Sequence, residues 1–368
     1  MASPRPNHQH LRRSDLRATA KLLTDATHHL TQVVEGMHRS VLDRIGLPGA
    51  ATPGRTRGIT GLVYRSIDRV TTLVGQGTDA ALAQADRWLP ADPHTPDSAQ
   101  RLAARALLNG VMGDRLLAQG NPLALPMGLV HAGQVLDLSG PLALTQARPR
   151  LLLLLHGLCM NDLQWTVAHG TETMNHGDTL AQAMDATPLF LRYNTGRHIA
   201  DNGCELAAQL EALLRAWPVP VNQITLMGHS MGGLVARSAV FAAQQADLAW
   251  PSQLRHLVTL GTPHHGAPLE RAGQWVHTVL GALPHTAPLA TLARLRSAGI
   301  TDLRHGQVRG DEIPSNDRFA HTEDRRLPLP LPEGVACYAV TATRASRRSR
   351  MADRLLGDGL VPLRSALG

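Results

Sequence analysis

Apolar positions fall into two regimes along the chain. Between residues 15 and 45, Leu23, Ala26, Leu30, Val33, Met37, Val41 and Ile45 recur every three to four places, the spacing of one helical face. A Gly/Pro-rich break at 47–58 follows, and Ile59, Leu62, Val63, Ile67, Val70 and Val74 then repeat the pattern in a segment running to Trp88. Pro90, Pro93 and Pro96 end it, and 98–119 reads as a third helix interrupted by Gly110 and Gly113. Beyond Gly120 the period changes to short β-like runs at 128–130, 135–138, 151–155, 189–193, 224–227, 257–260 and 337–341. Helical segments at 201–217 and 232–245 lie between them. Strands alternating with helices predict an α/β fold with a mostly parallel central sheet. The run 151–155 is apolar throughout, as a central strand buried on both faces must be. The expected organisation is a disordered terminus at 1–14, a helical region at 15–120, and an α/β domain at 121–368.

Composition narrows the classes. Aromatic residues make up only 3% of the chain, so the core is expected to be packed by Leu, Ala and Val. The net charge of +7 is almost wholly arginine, Lys21 being the one lysine. Apart from Arg344, Arg347, Arg348 and Arg350 the arginines are scattered and lack interleaved aromatics, which argues against nucleic acid as a partner. Cys159, Cys204 and Cys337 are odd in number and show no metal-ligand spacing, so no metal or other cofactor is expected and a reducing compartment is. The first 17 residues are polar, without the apolar stretch of a signal peptide, and no run approaches membrane-spanning length. These features predict a cytoplasmic or peripheral membrane protein. The N-terminal helices are expected to pack on each other and on the core; a lipid or partner contact is the alternative, weakened by acidic residues on their polar faces.

The chemistry centres on Gly228-His229-Ser230-Met231-Gly232-Gly233. The motif is G-x-S-x-G, placed directly after an apolar strand and directly before a helix. A serine on so sharp a turn is held in strained backbone geometry, and side chains two residues to either side would collide, so Gly228 and Gly232 are required. At the helix start the N–H of Met231 can face a developing oxyanion. A second donor is expected from the turn His156-Gly157-Leu158 after 151–155, with the Leu158 N–H as candidate. His156 and His229 read as supports of their turns rather than as bases.

Three segments carry a family resemblance: Leu-Leu-His156-Gly157-Leu158, Met227 to Arg237 around the serine, and Leu260-Gly261-Thr262-Pro263-His264-His265-Gly266. With them the chain from about Leu151 onward resembles the α/β-hydrolase superfamily, in the branch of bacterial triacylglycerol lipases and inositol-deacylase-like esterases. The resemblance implies a serine nucleophile at Ser230 and the chain order Ser, acid, His. Asp358, in Gly357-Asp358-Gly359-Leu360-Val361-Pro362 after the last strand, resembles the acid, with Asp353 and Asp302 as poorer alternatives. No histidine follows Asp358, the last being His321. The expectation is a chain that stops short of its final strand and catalytic histidine, leaving the last strand as a sheet edge. The competing reading takes His264 or His265 as the base, although the pair equally matches a structural turn of the family.

Residues 265–334 are Pro-, Leu-, His- and Arg-rich and are expected to form a helical lid, with its best helix at 268–280. Its leucines would suit an acyl chain, so a small-molecule or lipid ester is the expected substrate. An acyltransferase or thioesterase using the same serine, and a catalytically silent binding protein, are the alternatives.

Overall fold

The computed structural model describes residues 97–169, 172–266, 296–312, 327–343 and 363–368, with Asp324, Val361 and scattered helical positions between Ala20 and Gln84. The chain divides into two compact units, one of Met1–Leu102, Gly120–Leu123 and Gly273–Leu295, the other of Ala103–Gln119, Ala124–Ala272 and Arg296–Gly368. Helix α1, Ala99–Ala118, therefore belongs from Ala103 onward with the unit that contains the sheet. The terminus expected at 1–14, most of the expected helical region before residue 97, residues 267–295 and 313–323 of the expected lid with its best helix, Asp353 and Asp358 lie outside the described residues. Within the first unit, Arg101 pairs with Asp97 across one helical turn.

The second unit is built on a seven-stranded sheet. Its strands in chain order are β1 (Gly128–His131), β2 (Gln134–Val135), β3 (Arg150–Leu155), β6 (Thr187–Arg192), β7 (Gln223–His229), β8 (Leu254–Leu260) and β9 (Ala336–Val340). A separate antiparallel hairpin, β4 (Thr166–His169) with β5 (Glu172–Asn175), lies between β3 and β6 in sequence. The spatial order is β2-β1-β6-β3-β7-β8-β9. Strand β1 runs antiparallel to both its neighbours, and every pair from β6 to β9 is parallel.

Alternation along β3 explains its unbroken apolar sequence. Leu151, Leu153 and Leu155 belong to the larger core cluster, together with residues of α3 (Ile199–Ala216) and α4 (Met231–Gln245). Leu152 and Leu154 belong to a second cluster with Phe190 and with Ala181 of α2 (His176–Met184). Each of the five leucines is at most 1% exposed, so the strand is covered from both sides, at about 1.5–3 kcal/mol for each leucine side chain buried. Polar Arg150 marks where that burial stops.

Local chemistry sets the helix ends. Asn175 caps α2 by accepting the Asp178 N–H at 3.0 Å, and Asp185 at φ 51° terminates it. Helix α3 has no capping bond from its own N-cap residue, His198; the Asp302 carboxylate accepts the Ile199 N–H at 2.8 Å instead. Asp302 ends the short helix α5 (Ala298–Asp302), so this cap ties α5 to α3. In α1 the backbone kinks at Met112, between Gly110 and Gly113, whose carbonyls accept from Ser297 Oγ at 2.6 Å and Asn194 Nδ2 at 2.9 Å. The final helix, α6 (Leu363–Leu367), supplies Ser365, whose carbonyl accepts the His264 N–H. No helix among the described residues is long and apolar enough to cross a membrane.

Candidate active site

Ser230 sits between the end of β7 and the start of α4, at φ 52° and ψ −121°. This is a strained conformation for a residue with a Cβ, and it persists only where the surroundings over-determine it. Here the Ser230 N–H donates to the Leu260 carbonyl of β8 at 2.8 Å, and the Ser230 carbonyl accepts the Gly233 N–H at 3.1 Å. The side chain makes no capping bond to its own helix, so its hydroxyl is not consumed by α4. The glycines around it are required by space. A Cβ on Gly228 would come within 2.5 Å of Gly232 C, one on Gly232 within 2.6 Å of the His156 carbonyl oxygen, and one on Gly233 within 2.9 Å of Thr262 Cβ. The first turn of α4 is thus pressed onto the C-terminal end of β3 and the turn after β8.

The turn that follows β3 stands beside the serine. A Cβ on Gly157 would lie 3.2 Å from Ser230 Cβ and 3.3 Å from His229 Nδ1. Leu158 is the next residue, and Met231 is the first of α4. Ser230, Gly228, His229, Met231 and Gly232 of one motif and His156, Gly157 and Leu158 of the other therefore meet at the C-terminal ends of β3 and β7. The first turn of a helix carries the positive end of its dipole, and this end of α4 lies beside Ser230.

His156 is a support for that turn. It is 2% exposed, its ring stacks on Tyr193 at a centroid separation of 4.4 Å, and its Nδ1–H donates to the Gly157 carbonyl at 3.0 Å. That bond fixes the tautomer, and among the described residues Nε2 has no hydrogen-bond partner. Burial pulls its pKa down to about 4, so the ring is neutral near pH 7.

His264 is also built into the fold. Its Nδ1 lies 3.1 Å from Arg237 Nη1 and its Nε2 lies 3.3 Å from Thr259 Oγ1. Arginine can only donate, so Nδ1 accepts and the ring proton is on Nε2. Burial first, then Arg237 and His265, lower its pKa to about 4. His265 is exposed, and its backbone N–H donates to Ser365 Oγ at 3.1 Å. The two histidines line a cavity of about 940 Å³ with Arg237, Tyr338 and Leu329, and Ser230 is not among the residues lining it. Among the described residues, no group of three or more His, Cys, Asp or Glu side chains is gathered as a metal site.

Sequence reasoning passed over the residues that hold the turn after β3. Arg192, at the end of β6, binds Asp162 through two hydrogen bonds of 2.7 and 2.8 Å, Tyr193 Oη donates to the His156 carbonyl at 2.8 Å, and Thr195 Oγ1 accepts the Cys159 N–H at 3.2 Å. Arg192 ends β6 and Tyr193 and Thr195 follow it, so all three are distant in sequence from the turn and only the pairing of β6 with β3 reveals them.

A mostly parallel sheet flanked by helices, with a strained serine between the fifth sheet strand in spatial order and the helix that follows it, is the arrangement of the α/β-hydrolase fold. Residues 147–325, just under half of the chain, match the family model of the PGAP1-like alpha/beta domain, and the fold is that of the α/β hydrolases. Among solved structures, the mature form of the Bacillus licheniformis lipase BlEst2 is 18% identical over 66% of this chain and 84% of its own, with a TM-score of 0.35. The propeptide form of the same lipase is 20% identical over 49% of this chain, which spans only 33% of that form, with a TM-score of 0.30. An esterase from Pyrobaculum calidifontis is 12% identical over 54% of this chain and 63% of its own, with a TM-score of 0.28. No curated protein matches the chain.

Proposed function

We propose that this hydrolase cleaves carboxylic esters through an acyl-enzyme on Ser230. The observation that carries the reading is the serine at φ 52° and ψ −121°, between β7 and α4, with the Gly157 turn against its side chain. In this reading Ser230 Oγ attacks the ester carbonyl carbon and gives up its proton to a base. The carbonyl oxygen becomes an oxyanion held by the N–H groups of Leu158 and Met231. Collapse expels the alcohol, which takes up a proton, and water then releases the acid from the serine. Asp358 is the proposed acid that orients the base. His264 is less suited to be that base, because Arg237 already occupies the Nδ1 lone pair.

The substrate proposed is an ester with an aliphatic acyl group. Hydrolysis of p-nitrophenyl butyrate by the full chain, followed at 405 nm (an assay wavelength, about the nitrophenolate maximum), tests the reading together with Ser230→Ala. Turnover that Ser230→Ala reduces to background supports it. Turnover that survives the substitution, or no turnover and no modification of Ser230 by a fluorophosphonate, overturns it. Faster ester formation than acid release in the presence of an added alcohol would reassign the same serine to acyl transfer.

A further inference from the structure

We propose that Thr195 and Arg192 are positioning residues for the turn at 156–162, holding the Leu158 amide in the orientation that an oxyanion requires. This rests on the reading of that turn as one side of the oxyanion hole.

The turn is held at its start, middle and end by one short stretch of chain. At its start, Tyr193 Oη donates to the His156 carbonyl at 2.8 Å and the two rings stack. In its middle, Cys159 has a left-handed backbone with φ 61°, a conformation that a non-glycine residue keeps only under external constraint. The constraint comes from two sides. The Cys159 N–H donates to Thr195 Oγ1 at 3.2 Å, and Cys159 packs so closely on α1 that a Cβ on Gly110 would lie 3.0 Å from its Cα. At its end, Asp162 is gripped by Arg192 through Nε at 2.7 Å and Nη2 at 2.8 Å, with the carboxylate only 3% exposed.

Leu158 stands between Gly157, which faces Ser230, and Cys159. Relaxation of Cys159 towards the right-handed region would turn the Leu158–Cys159 peptide plane and carry the neighbouring amide with it. Thr195 is 1% exposed, and its place just beyond β6 is fixed by the pairing of β6 with β3, so it is a rigid anchor. Hydrogen bonds aimed at a transition state lose their effect when displaced by a fraction of an ångström, which gives these remote side chains a lever on rate.

The test uses Thr195→Val, which keeps the shape and removes the acceptor, and Thr195→Ser, which restores the hydroxyl. The first readout is the rate at which a fluorophosphonate labels Ser230 in the full chain; the second is hydrogen–deuterium exchange of the peptide covering 157–162. The valine variant should label about tenfold more slowly with faster exchange at the Cys159 amide, and serine should return both to near the parent values. Parent-like labelling in the valine variant overturns the proposal, whether or not exchange rises. If the parent itself is not labelled, the ester-hydrolase reading fails, and unchanged exchange in the valine variant would then remove the positioning role as well. Should the valine variant not fold, Arg192→Lys, which keeps the charge and loses the paired hydrogen bonds, is expected to slow labelling, and parent-like labelling there overturns the proposal.

Discussion

At the scale of single residues, the elbow is governed by the absence of atoms. Gly228 has the Gly232 carbon 2.5 Å from where a Cβ would sit, and its neighbour Ser230 already stores backbone strain. Gly228→Ala should therefore destabilise the fold by about 1–3 kcal/mol, the usual cost of overpacking, and abolish labelling of Ser230. Urea unfolding with and without a fluorophosphonate checks both parts. The requirement for glycine here was readable from spacing alone, because G-x-S-x-G between an apolar strand and a helix admits few geometries. Cys159 was not readable in this way. Its left-handed backbone and its bond to Thr195 depend on a partner 36 residues away, and nothing in its neighbours along the chain announces them.

At the scale of elements, α3 has an unusual start, because its cap comes from Asp302, far along the chain. The same carboxylate lies 2.9 Å from His198 Nδ1, and burial is the main cause raising its pKa. Asp302→Ala leaves the Ile199 N–H and the His198 ring without this acceptor and should cost about 2–3 kcal/mol. Asp302→Asn, whose amide oxygen can still accept the Ile199 N–H, should cost less. Equal losses for the two variants in denaturant titrations would contradict the capping account.

Helices α3 and α4 and strands β3 and β7 were legible within about two residues, since they carry strong apolar periodicity. Helix α2 and the β4–β5 hairpin were not, because their faces are mostly exposed and only Gly177 and Ala181 of α2 are buried. Strand β8 begins at Leu254 rather than at 257, the polar Arg255 and His256 having masked its first turn of alternation. Strand β2 is two residues long rather than four, and α1 spans Ala99–Ala118 despite its two glycines.

At the scale of the whole molecule, the parallel order β6-β3-β7-β8-β9 brings the turns after β3 and β7 to the same end of the sheet. The fold class followed from the alternation of elements, whereas the order of strands needed the three-dimensional pairing. Burial of two neutral histidines also has a global consequence. His156 and His264 both have pKa values lowered to about 4, against an ordinary value of 6.5, so the unfolded chain binds protons that the folded chain refuses. Their contribution is intact above pH 6.5 and is lost as pH falls from 6.5 towards 4, by on the order of 3 kcal/mol for a fully buried ring such as His156. A series of thermal unfolding midpoints should decline across this window. The decline should be shallower in His156→Asn, which has no ring to titrate, and an unchanged slope would contradict the assignment of His156 as neutral and buried.

We propose that Ser230 faces the amides of Leu158 and Met231, arranged to receive negative charge. The most direct test is the crystal structure of the full chain after reaction with a fluorophosphonate. Phosphorus should be bonded to Ser230 Oγ, with the phosphoryl oxygen about 2.7–3.1 Å from the nitrogens of both Leu158 and Met231. A phosphoryl oxygen turned away from both amides, or an adduct on a different residue, would contradict it.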